Sequence, residues 1–347
     1  MKHGFLLLAA AAVLLAGAAS CTPKTNADQP LNIIFETDLG NDVDDALALD
    51  LLYKYMESGR INLLAIIINK DGAAPAGLAD ILNTWYGHNI PIGIIHDGAD
   101  CETDAVNYAR AVVEMKDEAG NPLFARSIRD YNTLPDAHIL YRKILAAAPD
   151  HSVHIVSVGF STNLSRLLHT PADAISPLSG RDLVARKVAS LTTMAGNIEN
   201  PNMHEYNVVK DIPACRDVFE NWPTEIVTSP FEVGNAILYP GASIENDLSW
   251  GIPHPVAEAY KAYMPMPYDR QTWDLTAVLY AVEGPSWFTL SAPGTITVSE
   301  AGSTTFTSPE PASSGLHRYL SVTPAQASAI RSHFLDIIPR KPSRFLP

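Results

Sequence analysis

Residues 31–52 read LNIIFETDLGNDVDDALALDLL. An apolar run from Asn32 to Glu36 gives way to a turn carrying Asp38, Asp42, Asp44 and Asp45, and the chain from Ala46 onward reads as a helix. The stretch therefore predicts strand, turn and helix, the opening unit of a parallel sheet. Its carboxylates fall at the carboxyl end of the strand and on the N-terminus of the helix, where open α/β sheets bind ligands and helix amides offset negative charge. One or two aspartates there would be explained as helix caps. Four within eight residues repel one another too strongly for capping alone, and the usual resolution is a hard divalent cation bound through carboxylate oxygens.

The alternation continues outward. NIIFET, NLLAIIIN and IPIGII read as buried strands, separated by the helical segments DALALDLLYKYMES and AGLADILNTWYG. After an irregular stretch at 97–133, the pattern resumes with a helix at 134–148, a strand at 152–159, a helix at 162–170 and a strand at 187–196. IPACRDVFEN (helix) and EIVTSP (strand) follow, then Pro- and Tyr-rich loops to Tyr268, a helix at 273–283, and a β-like tail with TITVSEAG, TTFTS and RYLSV. Short apolar runs alternating with helices specify an α/β fold with a mostly parallel central sheet flanked by helices. No internal repeat or linker divides the chain, so residues 31–347 are expected to form a single domain.

The 347 residues, 47% of them hydrophobic and 18% charged, suffice for a large core. A net charge of −14 leaves no basic face for a nucleic-acid partner, and a small-molecule substrate fits better. Residues 1–21, MKHGFLLLAAAAVLLAGAASC, have a basic start, a short apolar stretch and small residues before Cys21. They read as an export signal ending in a bacterial lipoprotein box, with ordinary cleavage near Ala19 as the alternative. Residues 22–30 then form a polar tether, and the protein is expected in the periplasm or outer envelope of a bacterium, touching membrane only through a lipid on Cys21. Cys101 and Cys215 are either a single disulfide or two thiols. The sequence leaves homo-oligomerisation open.

Spacing discards two other readings of the aspartates. A calcium-binding EF-hand loop starting at Asp38 needs glycine at its sixth position and glutamate at its twelfth, where the chain has Val43 and Leu49. A haloacid-dehalogenase phosphatase needs an aspartate nucleophile two residues before a second aspartate, and here that position is Glu36. The segment E-T-D-L-G-N-D-V-D-D-A, residues 36–46, instead resembles the D-x-D-x-G-x-D-D-A signature of the inosine-uridine-preferring nucleoside hydrolases, with Glu36 for the first aspartate and two extra residues before Asp44-Asp45-Ala46. The resemblance implies that Asp38 and Asp45 are calcium ligands and that Asp38 takes the proton from the attacking water. It gives Asp44 a ribose hydroxyl. Asp42 keeps the four-residue spacing from Asp38, so Asp42 and Asp44 compete for that role.

Three later segments extend the resemblance. IVSVGFSTNLSRLL is similar to the family's V-G-P-L-T-N-L-A element, which implies the Val158 carbonyl as a metal ligand; a plain strand-to-helix turn is the alternative. MAGNIENPNMHEYNVVKDIPA is similar to M-G-G…N…A-E-F-N…D-P-E-A, which implies that Glu205 and Asn207 bind sugar hydroxyls. The further sugar-contacting asparagine falls on Asn197, Asn200 or Asn202, with Asn197 following Met-Ala-Gly most directly. TWDLTAVLYA resembles the family's H-D-A or W-D-x-T-A helix start and makes Asp274 the third carboxylate ligand, giving an oxygen-only shell suited to Ca2+.

Trp273 occupies the place where many relatives carry a histidine thought to protonate the leaving base, so the resemblance leaves that acid and the preferred base open. His204, beside Glu205, is the one substitute to watch, though a solvent-facing loop histidine is the simpler reading. Tyr268, Asp269 and Arg270 are further candidates for the base pocket, and Trp85 is expected in the core. The implied activity is calcium-dependent hydrolysis of the N-glycosidic bond of ribonucleosides. Two alternatives stand beside it: a non-catalytic calcium-dependent nucleoside- or sugar-binding lipoprotein, and a hydrolase of another ribosyl substrate.

Overall fold

Burial alternates along the first strand as the period-two reading requires: Ile33 and Phe35 enter the core on one face of the sheet and Ile34 the core on the other. The second strand does the same, with Ile66 and Ile68 on one face and Ala65 and Ile67 on the opposite one. A sheet buried on both faces is what continuous β-branched runs demand. The computed structural model describes residue 1 and residues 29–99, 107–251, 253–308 and 315–346. The export signal with Cys21, most of the tether, and Cys101 lie outside the described residues. Cys215 is buried. Among the described residues no helix is long and apolar enough to cross a membrane.

The strands are β1 (Leu31–Thr37), β2 (Ile61–Ile68), β3 (Ile92–Gly93), β4 (Val153–Ser157), β5 (Val188–Thr193), β6 (Glu225–Thr228), β7 (Leu238–Tyr239), β8 (Arg270–Gln271), β9 (Thr289–Leu290), β10 (Thr295–Val298), β11 (Thr304–Thr307) and β12 (His317–Ser321). Eight of them form one sheet in the order β3-β2-β1-β4-β5-β6-β12-β9. Its pairs are parallel except β12 with β9. The chain thus winds outward from β1 through β2 to β3 and returns to β4 on the other side of β1, which makes the β1–β4 boundary the switch point where such sheets open a crevice. Glu36 on β1 is in register with Ser157 on β4, so Asp38 and Val158 emerge side by side at the carboxyl ends.

The helices are α1 (Asp44–Glu57), α2 (Ala73–Tyr86), α3 (Tyr108–Glu114), α4 (Ala137–Ala147), α5 (Thr162–Leu168), α6 (Gly180–Lys187), α7 (Tyr206–Lys210), α8 (Ile212–Asn221), α9 (Phe231–Asn235), α10 (Gly241–Asp247), α11 (Pro255–Tyr263), α12 (Trp273–Glu283) and α13 (Pro324–Ile337). The α/β reading and the 273–283 helix agree with the sequence. Three differences stand out. The strand expected at IPIGII is reduced to two ladder residues. The loops before Tyr268 contain α9, α10 and α11, and the β-like tail ends in the long helix α13. Trp85 packs against the core, with ring contacts to Phe345 at 5.0 Å and His254 at 5.3 Å.

Candidate active site

The floor of the site is the turn between β1 and α1. Gly40 takes φ +116°, which favours glycine, and a Cβ there would lie 2.9 Å from the Ala109 side chain. The turn delivers Asp38, Asp44 and Asp45 into the interior, the last two only 1% exposed. Asp45 accepts a short hydrogen bond from the Thr37 hydroxyl. Asp44 accepts the backbone N–H of Asp274 at 3.0 Å, which ties the start of α1 to the start of α12. Ligand oxygens of Asp44, Asp45 and Asp274 all lie within 4.8 Å of one another, and among the described residues no other such group occurs. Glu36, in the place of the family's first aspartate, is fully buried behind this floor, where it accepts hydrogen bonds from Tyr141 and Asn69.

Burial pushes the Asp38 carboxyl up to about 7, with the Lys70 charge opposing the rise and Asp42 and Glu205 adding to it. Asp44, Asp45 and Asp274 are raised well above the usual carboxylate range, first by burial and then by repulsion from their acidic neighbours. Such a group takes either protons or a cation. Its donors are hard oxygens, close together and buried, so the residues present fit a divalent cation of the calcium type.

The β4–α5 turn forms the second wall. A Cβ on Gly159 would lie 2.6 Å from the Asn69 amide and 2.8 Å from the Asp38 backbone nitrogen, so only glycine lets Val158 approach the aspartate turn. The Val158 carbonyl accepts from the Asn207 amide at 3.0 Å, and the same amide donates to the Met194 carbonyl at 3.1 Å. Asn207 thus spends its donors on the wall, and its Oδ1 is the atom it can offer to the cleft. Glu205 caps α7: its oxygens accept the N–H groups of Asn207, Val208 and Gly196. Burial raises this group to about 7, and these backbone N–H groups, with that of Tyr206, oppose the rise. Asn197, expected to contact the sugar, is buried and is not among the residues that line the cleft. Its side chain accepts from Asn200 N–H at 2.7 Å and donates to Met203 Sδ, holding the 197–203 loop.

Trp273 closes the third side. Its indole N–H donates to the Phe231 carbonyl at 2.9 Å, and its ring lies 5.3 Å from that of Phe231. Close packing fixes it further, since a Cβ on Gly234 would lie 2.3 Å from the Trp273 Cα. The Arg270 guanidinium sits 5.1 Å from the indole and ion-pairs with Asp42, its Nε donating to Asp42 Oδ1 at 2.9 Å. Asp42 is therefore turned to Arg270, while Asp44 belongs to the buried trio. Tyr268 and Asp269 build the loop instead of lining the cleft: the Tyr268 hydroxyl donates to the Tyr260 carbonyl, and Asp269 accepts from Gly241 N–H. His204 lines the cleft from an exposed position, its Nε2 lying 3.3 Å from the Ser303 hydroxyl.

Together these walls line an open cleft of about 280 Å³, room for a small polar ligand. Nine of the ten residues expected at the site line it: Asp38, Asp42, Asp44, Asp45, Val158, Glu205, Asn207, Trp273 and Asp274. Sequence reasoning missed Phe231, Met194 and Met203 in the lining, because apolar loop residues carry no signal of their own. It also missed Lys70 behind the floor, whose signal was a lysine closing the apolar run INLLAIIINK.

An acidic, oxygen-lined cleft at the switch point of a mostly parallel sheet is the ligand-binding place of an α/β enzyme. The model of the inosine-uridine preferring nucleoside hydrolases matches residues 33–319, and the chain belongs to that family. It is accordingly a hydrolase acting on N-glycosyl compounds. Solved structures share the fold. A plant nucleoside hydrolase is 20% identical, with 88% of this chain and 99% of that chain covered at a TM-score of 0.64. An inosine-guanosine nucleoside hydrolase is 19% identical, with 89% and 97% covered at 0.67. The inosine-uridine preferring nucleoside hydrolase of Bacillus anthracis is 17% identical, with 91% and 98% covered at 0.64. No curated protein matches the chain.

Proposed function

We propose that the protein hydrolyses the N-glycosidic bond of ribonucleosides in a calcium-dependent reaction, releasing ribose and free base. The observation that carries this reading is the convergence of Asp38, Asp44, Asp45 and Asp274 with Glu205 and Asn207 on one cleft. Asp38, Asp45, Asp274 and the Val158 carbonyl hold the cation in this reading, with Asp44 at its edge toward the sugar. When bound, the cation supplies positive charge to the water and sugar oxygens around it. Asp38 accepts the proton of the attacking water as the C1′–N bond breaks through an oxocarbenium-like sugar, and the base leaves with the electron pair of that bond and takes its proton from solvent. Asp44, Asn207 Oδ1 and Glu205 accept hydrogen bonds from ribose hydroxyls, so binding energy positions the anomeric carbon. Trp273 offers the base a pinned aromatic face and no titratable proton. We assign the protein to the bacterial envelope through the export signal and a lipid on Cys21.

Ribose release from a panel of purine and pyrimidine nucleosides in calcium tests the reading, with Asp38→Asn expected to lose at least a hundredfold in kcat. The absence of ribose from every nucleoside, with calcium-dependent nucleoside binding retained, would establish a binding protein instead.

A further inference from the structure

Lys70 follows β2 at the carboxyl edge of the sheet and is fully buried. Among the described residues its ammonium has no hydrogen-bond partner. A buried ammonium is costly unless nearby negative charge offsets it. The Lys70 Nζ lies beside the aspartate turn, 3.7 Å from where a Cβ on Gly40 would sit, and makes no direct hydrogen bond there, so its charge reaches the carboxylates across a gap. Its charge is the chief stabilising influence on the Asp38 carboxylate. Lys70 does not line the cleft. It stands behind the floor and acts on what the cleft holds through charge alone.

We infer that Lys70 is an internal competitor of the cation: its fixed positive charge partly neutralises the aspartate turn, lowers the affinity of the site for calcium, and lets the empty site remain folded. The inference rests on the cation reading above and deepens it by naming a residue that sets the affinity. Across a medium of effective dielectric ~20, a unit charge several ångströms from a divalent ion opposes its binding by more than about tenfold. The opposition scales with the charge of the ion, whereas a purely steric role for Lys70 would not.

The experiment is calcium titration by calorimetry, and terbium titration by luminescence, on the full-length protein at pH 8.5. Wild type is compared with Lys70→Met, which keeps the apolar stem, and Lys70→Arg, which keeps the charge. Lys70→Met is expected to bind calcium at least tenfold more tightly and to gain more for trivalent terbium than for calcium, while Lys70→Arg stays within threefold of wild type. Circular dichroism of each variant with and without calcium establishes that it is folded. Unchanged or weaker calcium binding by folded Lys70→Met, or equal gains for both ions, would overturn the role given to Lys70. Calcium binding is read without turnover, so a protein that splits no nucleoside but shows the shift refutes the hydrolase reading and supports this one. A wild type that binds neither ion removes the cation reading and this inference with it.

Discussion

Asp44 meets the Asp274 amide N–H from within the buried trio, whereas Asp42 leans outward to Arg270, whose guanidinium also receives support from the Tyr263 hydroxyl at 2.8 Å. The two extra residues of the turn thus give Asp42 a partner outside the trio. Asp44→Asn is accordingly expected to lower kcat/KM for a nucleoside at least a hundredfold, and Asp42→Asn less than tenfold; steady-state kinetics that reverse this order would reassign the sugar contact to Asp42. Arg270→Met leaves Asp42 unneutralised beside buried carboxylates, so it should be less stable than the double variant Asp42→Asn/Arg270→Met by about 1 kcal/mol in denaturant melts. Spacing from Asp38 could not separate the two aspartates, because the deciding partner lies 228 residues away. What holds Asn197 was illegible for the same reason: Met203 and Thr304 fix its loop, and neither signals itself in sequence. The meeting of Asp38, Asp45, Glu205, Asn207 and Asp274 on one cleft was legible because each sits in a short motif whose strand or helix boundary places it.

Elements with their own periodicity were readable, and those made by their surroundings were not. Helix α12 was found at its full length because its apolar residues run to a Gly284 stop. Helices α9 and α10 have five and seven residues, too short to be stable alone, and form where the loops pack. The overlooked helix α13 did carry a signal: Thr323 and Gln326 form a capping box around Pro324. Helix α11 depends on an unusual cap, His254, whose Nδ1 accepts the Val256 N–H at 3.2 Å while the ring packs between Trp85 and Trp250. Burial and the nearby Lys54 charge hold this imidazole down to about 3. Because the folded value lies below the unfolded one, the stability His254 contributes is complete above about pH 6.5 and is lost as pH falls toward 3. Between pH 7 and 4 the loss from this group is about 3 kcal/mol. His254→Asn keeps an acceptor for the cap and removes the titration, so its melting temperature should fall less than that of wild type over that range; parallel declines would show that His254 is not the group responsible.

At the scale of the whole molecule, the carboxylate cluster joins regions far apart in the chain: the β1–α1 turn, the β4–α5 turn and the start of α12 meet around it. A cation bound there links all three and binds the folded state alone, because the unfolded chain brings none of them together. At a hundredfold excess over its dissociation constant, calcium should stabilise the fold by about 2.7 kcal/mol, a rise of about 4 °C in melting temperature for a chain of this size. The sign of the pH dependence follows from the raised carboxyls. Asp38 at about 7, with Asp44, Asp45 and Asp274 also raised, binds protons more tightly folded than unfolded. Without calcium the stability from these groups is fully present below about pH 4; the part from Asp38 is lost as pH rises through about 7, and the other three lose theirs in the same direction. Protons and calcium compete for the same oxygens, so calcium gains its hold as protons leave. Thermal melts with calcium and with chelator at pH 5, 6.5 and 8 should therefore show a calcium increment that is small at pH 5 and largest at pH 8. An increment equal at all three values, or greatest at pH 5, would place the cation away from these carboxylates.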